Sequence, residues 1–216
     1  MIKTSDERRA AGQRCPHDAQ PPVEPTLASY IIEKAKKEWA DISMAYKGSG
    51  TWKSEIYYAP RSDKANGPTF QISDVELLEI ILNEELMDLM GLNEKILRIY
   101  AYKEDIATEE FAKVGFYHMF VVLQTKDWWW SVEKTSEGIT IQRSEFREYV
   151  RDRYRGKRRP HYKFLSKDST RYKIQDVFEW LYDENELNKE FSFMTENCQH
   201  FTKRIFGHFA EKTLRI

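Results

Sequence analysis

The chain predicts an α+β fold, an antiparallel sheet packed against helices. Three runs dense in aromatic and β-branched residues lie between residues 116 and 142, separated by turn residues, and read as a β-meander. Apolar residues recur at helical spacing in several other stretches, the clearest at 74–91, 174–181 and 198–209. An apolar content of 41% with 14% aromatic residues gives a chain of 216 residues ample material for a core.

In chain order, residues 1–25 are polar, carry Pro16, Pro21, Pro22 and Pro25, and are expected to form a mobile tail. Thr26 is a good N-cap, and Leu27, Ile31, Ala35, Trp39 and Ile42 trace one helical face that Gly48 and Gly50 close. A strand over 51–59 leads into a turn through Asp63, Asn66, Gly67 and Pro68. Ser73 or Asp74 caps a second helix whose core stripe is Val75, Leu78, Leu82, Leu86 and Leu89, with Gly91 as its stop. Residues 96–102 read as a strand, 108–113 as a short helix, and 116–123 as a buried strand. Turns at 125–127 and 136–138 separate the strands 128–134 and 139–142. A helix over 144–154, a basic segment at 155–163, a strand near 162–165 and a helix through Ile174, Val177, Phe178 and Leu181 complete the approach to the last helix. The resulting division is a tail at 1–25, a helical extension at 26–94 and a domain at 95–216.

Charge and cysteine usage narrow the function classes. With 34 basic and 35 acidic residues the net charge is −1, so nothing pulls the whole chain toward nucleic acid or membrane, and nucleic acid is not an expected partner. Arg151, Arg153, Arg155, Lys157, Arg158, Arg159 and Lys163 form one dense basic patch, read as a solvated loop offset by acidic segments elsewhere. The only cysteines are Cys15 and Cys198, too few for a disulfide framework and in keeping with a reducing compartment. The N-terminus lacks the apolar core of a signal peptide, and no run approaches the ~20 apolar residues of a membrane span, so a cytoplasmic protein is expected. No metal-ligand spacing, phosphate-binding loop or dinucleotide fingerprint is present, and neither metal nor cofactor is expected.

Chemistry concentrates in Thr195-Glu196-Asn197-Cys198-Gln199-His200-Phe201. Thr195 or Asn197 can cap the last helix, which puts Cys198 in its first turn. There the unpaired amides and the dipole favour a thiolate. Cys198 also shares the inward stripe with Phe201 and Ile205, so a buried core cysteine is the competing reading. A thiol nucleophile needs a base. Of the five histidines, His17 lies in the tail, His200 points away from Cys198, His208 sits at the far helix end and His161 in the basic loop. His118, near the start of a buried strand, is the best placed. Ser131 and Glu133 fall on one face of the returning strand and can orient it; Glu133 is the better partner because a carboxylate stabilises imidazolium, and Gln142 is a weaker one. Trp128-Trp129-Trp130 must send rings to both faces, one to the core and the other to core packing or a groove.

His118 on a strand, a hairpin return and then Asn197-Cys198-Gln199-His200-Phe201 opening the last helix resembles the lecithin:retinol acyltransferase-like (LRAT-like) group. That group belongs to the NlpC-type papain-like superfamily in its circularly permuted form. The family wording is Asn-Cys-Glu-His-Phe, so this chain differs at one residue, and the likeness covers roughly residues 96–209. The resemblance implies a papain-like fold, Cys198 as nucleophile, His118 as base, and hydrolysis or acyl transfer through a thioester on a peptide, lipid or other acyl-bearing substrate. Many relatives carry a second histidine where this chain has Trp130, which passes the third role to Glu133 or Ser131 or leaves it empty. A non-catalytic module that keeps the fold and binds protein or lipid is the alternative.

Overall fold

A computed structural model describes residues 51–105, 117–159, 161–192 and 195–211. The expected tail, the helix starting at Thr26, the short helix at 108–113, Cys15 and His17 lie outside the described residues. The punctuation at 125–127 and 136–138 produces the expected hairpins. β3 (Arg98–Asp105), β4 (Tyr117–Gln124), β5 (Trp129–Thr135) and β6 (Gly138–Ser144) run antiparallel in sequence order. β1 (Glu55–Ala59) joins β6 in parallel, β2 (Phe70–Ser73) flanks it, and β9 (Tyr162–Ser169) adds to β3 at the far side. The seven-stranded order is β2-β1-β6-β5-β4-β3-β9. This is an α+β architecture with one large, mostly antiparallel sheet.

The sheet runs straight across the boundary expected at 94/95. Ile56 and Tyr58 of β1, with Leu77 and Ile80 of the following helix, share one buried cluster with Val121, Val132, Ile141 and Phe201. Among the described residues, 55–90 are part of the same body as the rest, and they contribute strands as well as helices.

The second predicted helix is in fact two. α1 (Asp74–Leu82) starts in a capping box, with the Glu76 amide donating to Ser73 Oγ and the Ser73 amide donating to Glu76 Oε2 at 2.7 Å. Asn83 ends it and caps α2 (Glu84–Met90) by accepting from the Leu86 amide at 3.1 Å. Gly91 closes α2 with φ 73°, a left-handed conformation that suits glycine. The buried positions are Leu77, Ile80 and Met87, whereas Val75 is 78% exposed and Leu89 81%. The expected stripe of Val75, Leu78, Leu82, Leu86 and Leu89 is therefore a correction. Positions 75, 77, 78, 80, 81 and 82 are all apolar, so periodicity alone cannot choose the phase, and the break at Asn83 resets it.

The helix expected over 144–154 is shorter. α3 (Arg147–Arg151) stops at Asp152, and β7 (Arg153–Tyr154) and β8 (Lys157–Arg158) then form a small hairpin. Its two turn residues, Arg155 and Gly156, have φ of 45° and 81°, the positive pair that a tight hairpin turn requires. α4 (Ile174–Asp183) and α5 (Cys198–Phe209) follow. In α5, Phe201, Ile205, Phe206 and Phe209 are all buried in the main core, each worth about 1.5–3 kcal/mol. No helix among the described residues is long and apolar enough to cross a membrane.

Alternation along β4 divides the molecule. Val121 and Leu123 face the core that α5 completes, while Phe120 and Val122 face the opposite side with Tyr102 and Val150. His118 belongs by alternation to this second face.

Candidate active site

Asn197 is the N-cap of α5, its side chain accepting from the Gln199 amide at 2.9 Å and the His200 amide at 3.2 Å. Cys198 is thus the first helical residue, where a negative sulfur gains from the helix dipole. Thr195, the other candidate cap, instead donates to Ser192 Oγ at 2.9 Å. The segment ahead of the cysteine is held by charge. Glu196 pairs with Lys134 at 3.0 Å and with Arg204 at 2.6 Å, and Arg204 also reaches Glu186 at 2.8 Å. Burial works to raise the Glu196 pKa, but Arg204 and Lys134 outweigh it and hold the carboxyl below its ordinary value.

Cys198 is 1% exposed, yet its surroundings are not purely hydrocarbon. Its sulfur donates to the carbonyl oxygen of Tyr117 at 3.8 Å, and Gln199 Nε2 donates to the same oxygen at 3.1 Å. That carbonyl belongs to the peptide unit joining Tyr117 to His118. The start of α5 is therefore fastened to the start of β4, and a glutamine serves where a carboxylate would fail, since an amide N–H can donate to a carbonyl and an ionised carboxylate has no proton to give. Burial pushes the Tyr117 phenol up, and negative charge at Cys198 pushes in the same direction.

His118 is buried, and its Nε2 lies 2.8 Å from Glu133 Oε2. Of the described histidines it alone is buried; His161, His200 and His208 are exposed. Glu133 is also buried, and its other oxygen, Oε1, accepts from Arg159 Nη2 at 2.5 Å. Arg159 Nη1 donates to Glu104 Oε2 at 2.7 Å, and its guanidinium lies over the Phe120 ring at 4.0 Å. Burial disfavours the Arg159 charge, but Glu133 and Glu104 outweigh it and hold its pKa above the ordinary arginine value. Glu104 stands directly opposite His118 in the β3–β4 register.

The other orienting candidates are engaged elsewhere. Gln142 Nε2 donates to Ser131 Oγ at 3.3 Å and to the Arg153 carbonyl at 3.2 Å, and its Oε1 accepts from the Arg155 amide at 2.5 Å. Ser131 and Gln142 thus anchor the β7–β8 hairpin. Trp130 points to the main core and stacks on Tyr58 at 6.2 Å. Trp129 lies against Tyr100 at 5.9 Å, with the Arg147 guanidinium 5.1 Å away, and Trp128 is covered by Arg143 at 3.8 Å.

The basic patch is a correction too. Arg159 is not a solvated cation but sits between two carboxylates, and Arg155 pairs with Glu137 at 3.0 Å. Only part of the run, including Lys157 and Arg158, faces solvent. The hairpin folds back so that the Arg159 amide donates to the Asp152 carbonyl at 2.8 Å, which turns its side chain under the sheet. Gly156 between two short polar runs was the one sequence signal for this hairpin, and nothing in the run distinguished the cation that turns inward. Glu104 continues the alternation of Tyr100 and Tyr102, but only the register with β4 brings it to His118.

Comparison of the chain with protein-family models, with curated proteins and with solved structures found no match. Among the described residues, no group of three His, Cys, Asp or Glu side chains is disposed to hold a metal ion.

Proposed function

We propose that the protein is a cysteine-dependent hydrolase or acyltransferase with a permuted, papain-like arrangement of the NlpC and LRAT type. The observation that carries this reading is the buried His118–Glu133 pair at 2.8 Å, with His118 on the strand whose first peptide unit the Cys198 sulfur touches. Glu133 accepts the hydrogen bond from Nε2–H, which leaves Nδ1 as the nitrogen to exchange a proton with the thiol. In the reaction, His118 Nδ1 accepts the Cys198 proton and the thiolate adds to an ester, amide or thioester carbonyl. The Cys198 amide at the helix start supplies a donor for the oxyanion. Collapse expels the leaving group, protonated by His118, and leaves a thioester that water or an acceptor resolves with His118 again as base. Substrates would be peptides, lipids or other acyl-bearing molecules.

The near-complete burial of Cys198 favours a second reading, a non-catalytic protein- or lipid-binding module. Iodoacetamide alkylation of Cys198 against pH separates the two, with Cys15→Ser making Cys198 the sole thiol. The catalytic reading expects reaction governed by an apparent pKa well below the ~8.5 of a free thiol. A thiol that hardly reacts, or reacts with that ordinary pKa, overturns it.

A further inference from the structure

Arg159 is a fully buried cation that the proposed mechanism leaves unused. Both terminal nitrogens of its buried guanidinium donate to carboxylates, Glu104 on β3 and Glu133 on β5. Burying three charges carries a heavy desolvation cost, and apolar groups of similar volume often stabilise as well or better. Stability alone therefore gives a weak account of the arrangement, whereas its position gives a strong one. The oxygen of Glu133 that Arg159 grips is the partner of the oxygen that meets His118. A guanidinium carries donors only, so it can be satisfied only by an acceptor on Oε1. Its positive charge favours the carboxylate over the neutral acid, and the Nε2–Oε2 contact then requires the proton on Nε2.

The charge count works in the same direction. Two carboxylates and one guanidinium sum to −1 beside a neutral imidazole and to zero beside imidazolium, so the cluster favours moving a proton onto His118. The titratable and charged groups around this core are Glu104 from β3, Tyr117 and His118 from β4, Glu133 from β5, Tyr154 from β7 and Cys198 from α5. The Tyr154 hydroxyl lies 3.2 Å from Thr140 Oγ1 and 3.4 Å from Thr135 Oγ1.

We propose that Arg159, braced by Glu104, is a positioning residue that orients Glu133 and thereby fixes the tautomer of His118 from which Cys198 is activated. This role rests on the catalytic reading above. Arg159 touches neither the sulfur nor a substrate in this scheme; it acts through Glu133.

The test uses the full chain carrying Cys15→Ser, with and without the paired change E104Q/R159M, which removes one anion and one cation together. Alkylation of Cys198 against pH and the ¹⁵N shifts of His118 are the readouts, with circular dichroism to confirm the fold. A positioning role expects the paired variant to alkylate at least about tenfold more slowly at pH 6 and His118 to lose its single Nε2–H tautomer. Should that variant not fold, R159K keeps the cation but presents a point charge in place of a fork. It is expected to restore folding and only part of the rate. A folded variant, of either kind, with an unchanged alkylation profile and unchanged tautomer overturns the role of Arg159 while leaving the catalytic reading intact. A parent protein with an ordinary thiol profile overturns the catalytic reading, and this role with it.

Discussion

Replacing Glu133 by glutamine keeps the shape of the side chain and removes its charge. A proton on His118 and the centre of the Glu133 charge lie about 4 Å apart, which at an effective dielectric of about 20 is worth about 4 kcal/mol. Arg159 on the other oxygen offsets part of this. Roughly 2–3 kcal/mol remains, the size of a charge-assisted hydrogen bond. At about 1.4 kcal/mol per decade, the imidazolium–thiolate pair becomes roughly 30- to 140-fold less populated. Geometry adds a second effect. Arg159 can only donate, so the carbonyl oxygen of the new amide must face it, and the NH₂ group then faces His118 Nε2. The imidazole is driven to carry its proton on Nδ1, the nitrogen that should accept from sulfur; loss of the correct tautomer is also the cost of the corresponding Asp→Asn change in serine proteases. The assay is alkylation of E133Q against its parent, both with Cys15→Ser, from pH 5 to 9. Equal rates with the same apparent pKa would refute the whole chain of reasoning from Glu133 through His118 to Cys198.

Other expected outcomes test the supporting structure. N197A removes the cap shared by the Gln199 and His200 amides and is expected to cost about 1 kcal/mol in urea denaturation, with slower alkylation as the first turn frays. Because the Glu196 carboxyl is held below its ordinary value, its contribution is present above its unfolded pKa and lost as pH falls through the lowered one. E196Q is therefore expected to lose less melting temperature than the parent between about pH 5 and 3, that unfolded value lying near ~4.3. Leu77→Ala is expected to cost about 2–5 kcal/mol, because Leu77 is fully buried. Val75→Ala, on the exposed side of the same helix, is expected to stay within about 0.5 kcal/mol. Equal costs at the two positions would show that α1 faces the core with the other stripe.

Much of this architecture is local, and local features are legible in residue order. Gly138 and the polar turn at 125–127 punctuate the meander, Ser73 and Asn197 mark helix starts, and the period of Phe201, Ile205 and Phe209 places α5 on the core. Alternation along two neighbouring strands offers Ser131 and Glu133 as partners of a buried His118, and charge favours Glu133 between them. The pairing at 2.8 Å is the one the structure shows, because strand period and hairpin register are set within a few residues.

What tertiary structure decided is everything carried by long-range pairing. β1 enters the sheet beside β6 through a parallel register that no turn specifies, and this merges 55–90 with the remainder. The phase of α1 was undetermined because apolar residues surround it almost completely, and only packing selected Leu77 and Ile80. Arg159 is the sharpest case. Lys157 and Arg158, just before it in sequence, are exposed, whereas its neighbours in space are two buried carboxylates from β3 and β5, brought there by a hairpin that folds under the sheet. Residue order lists charges; only the folded chain determines which of them leave water and what they must then pair with.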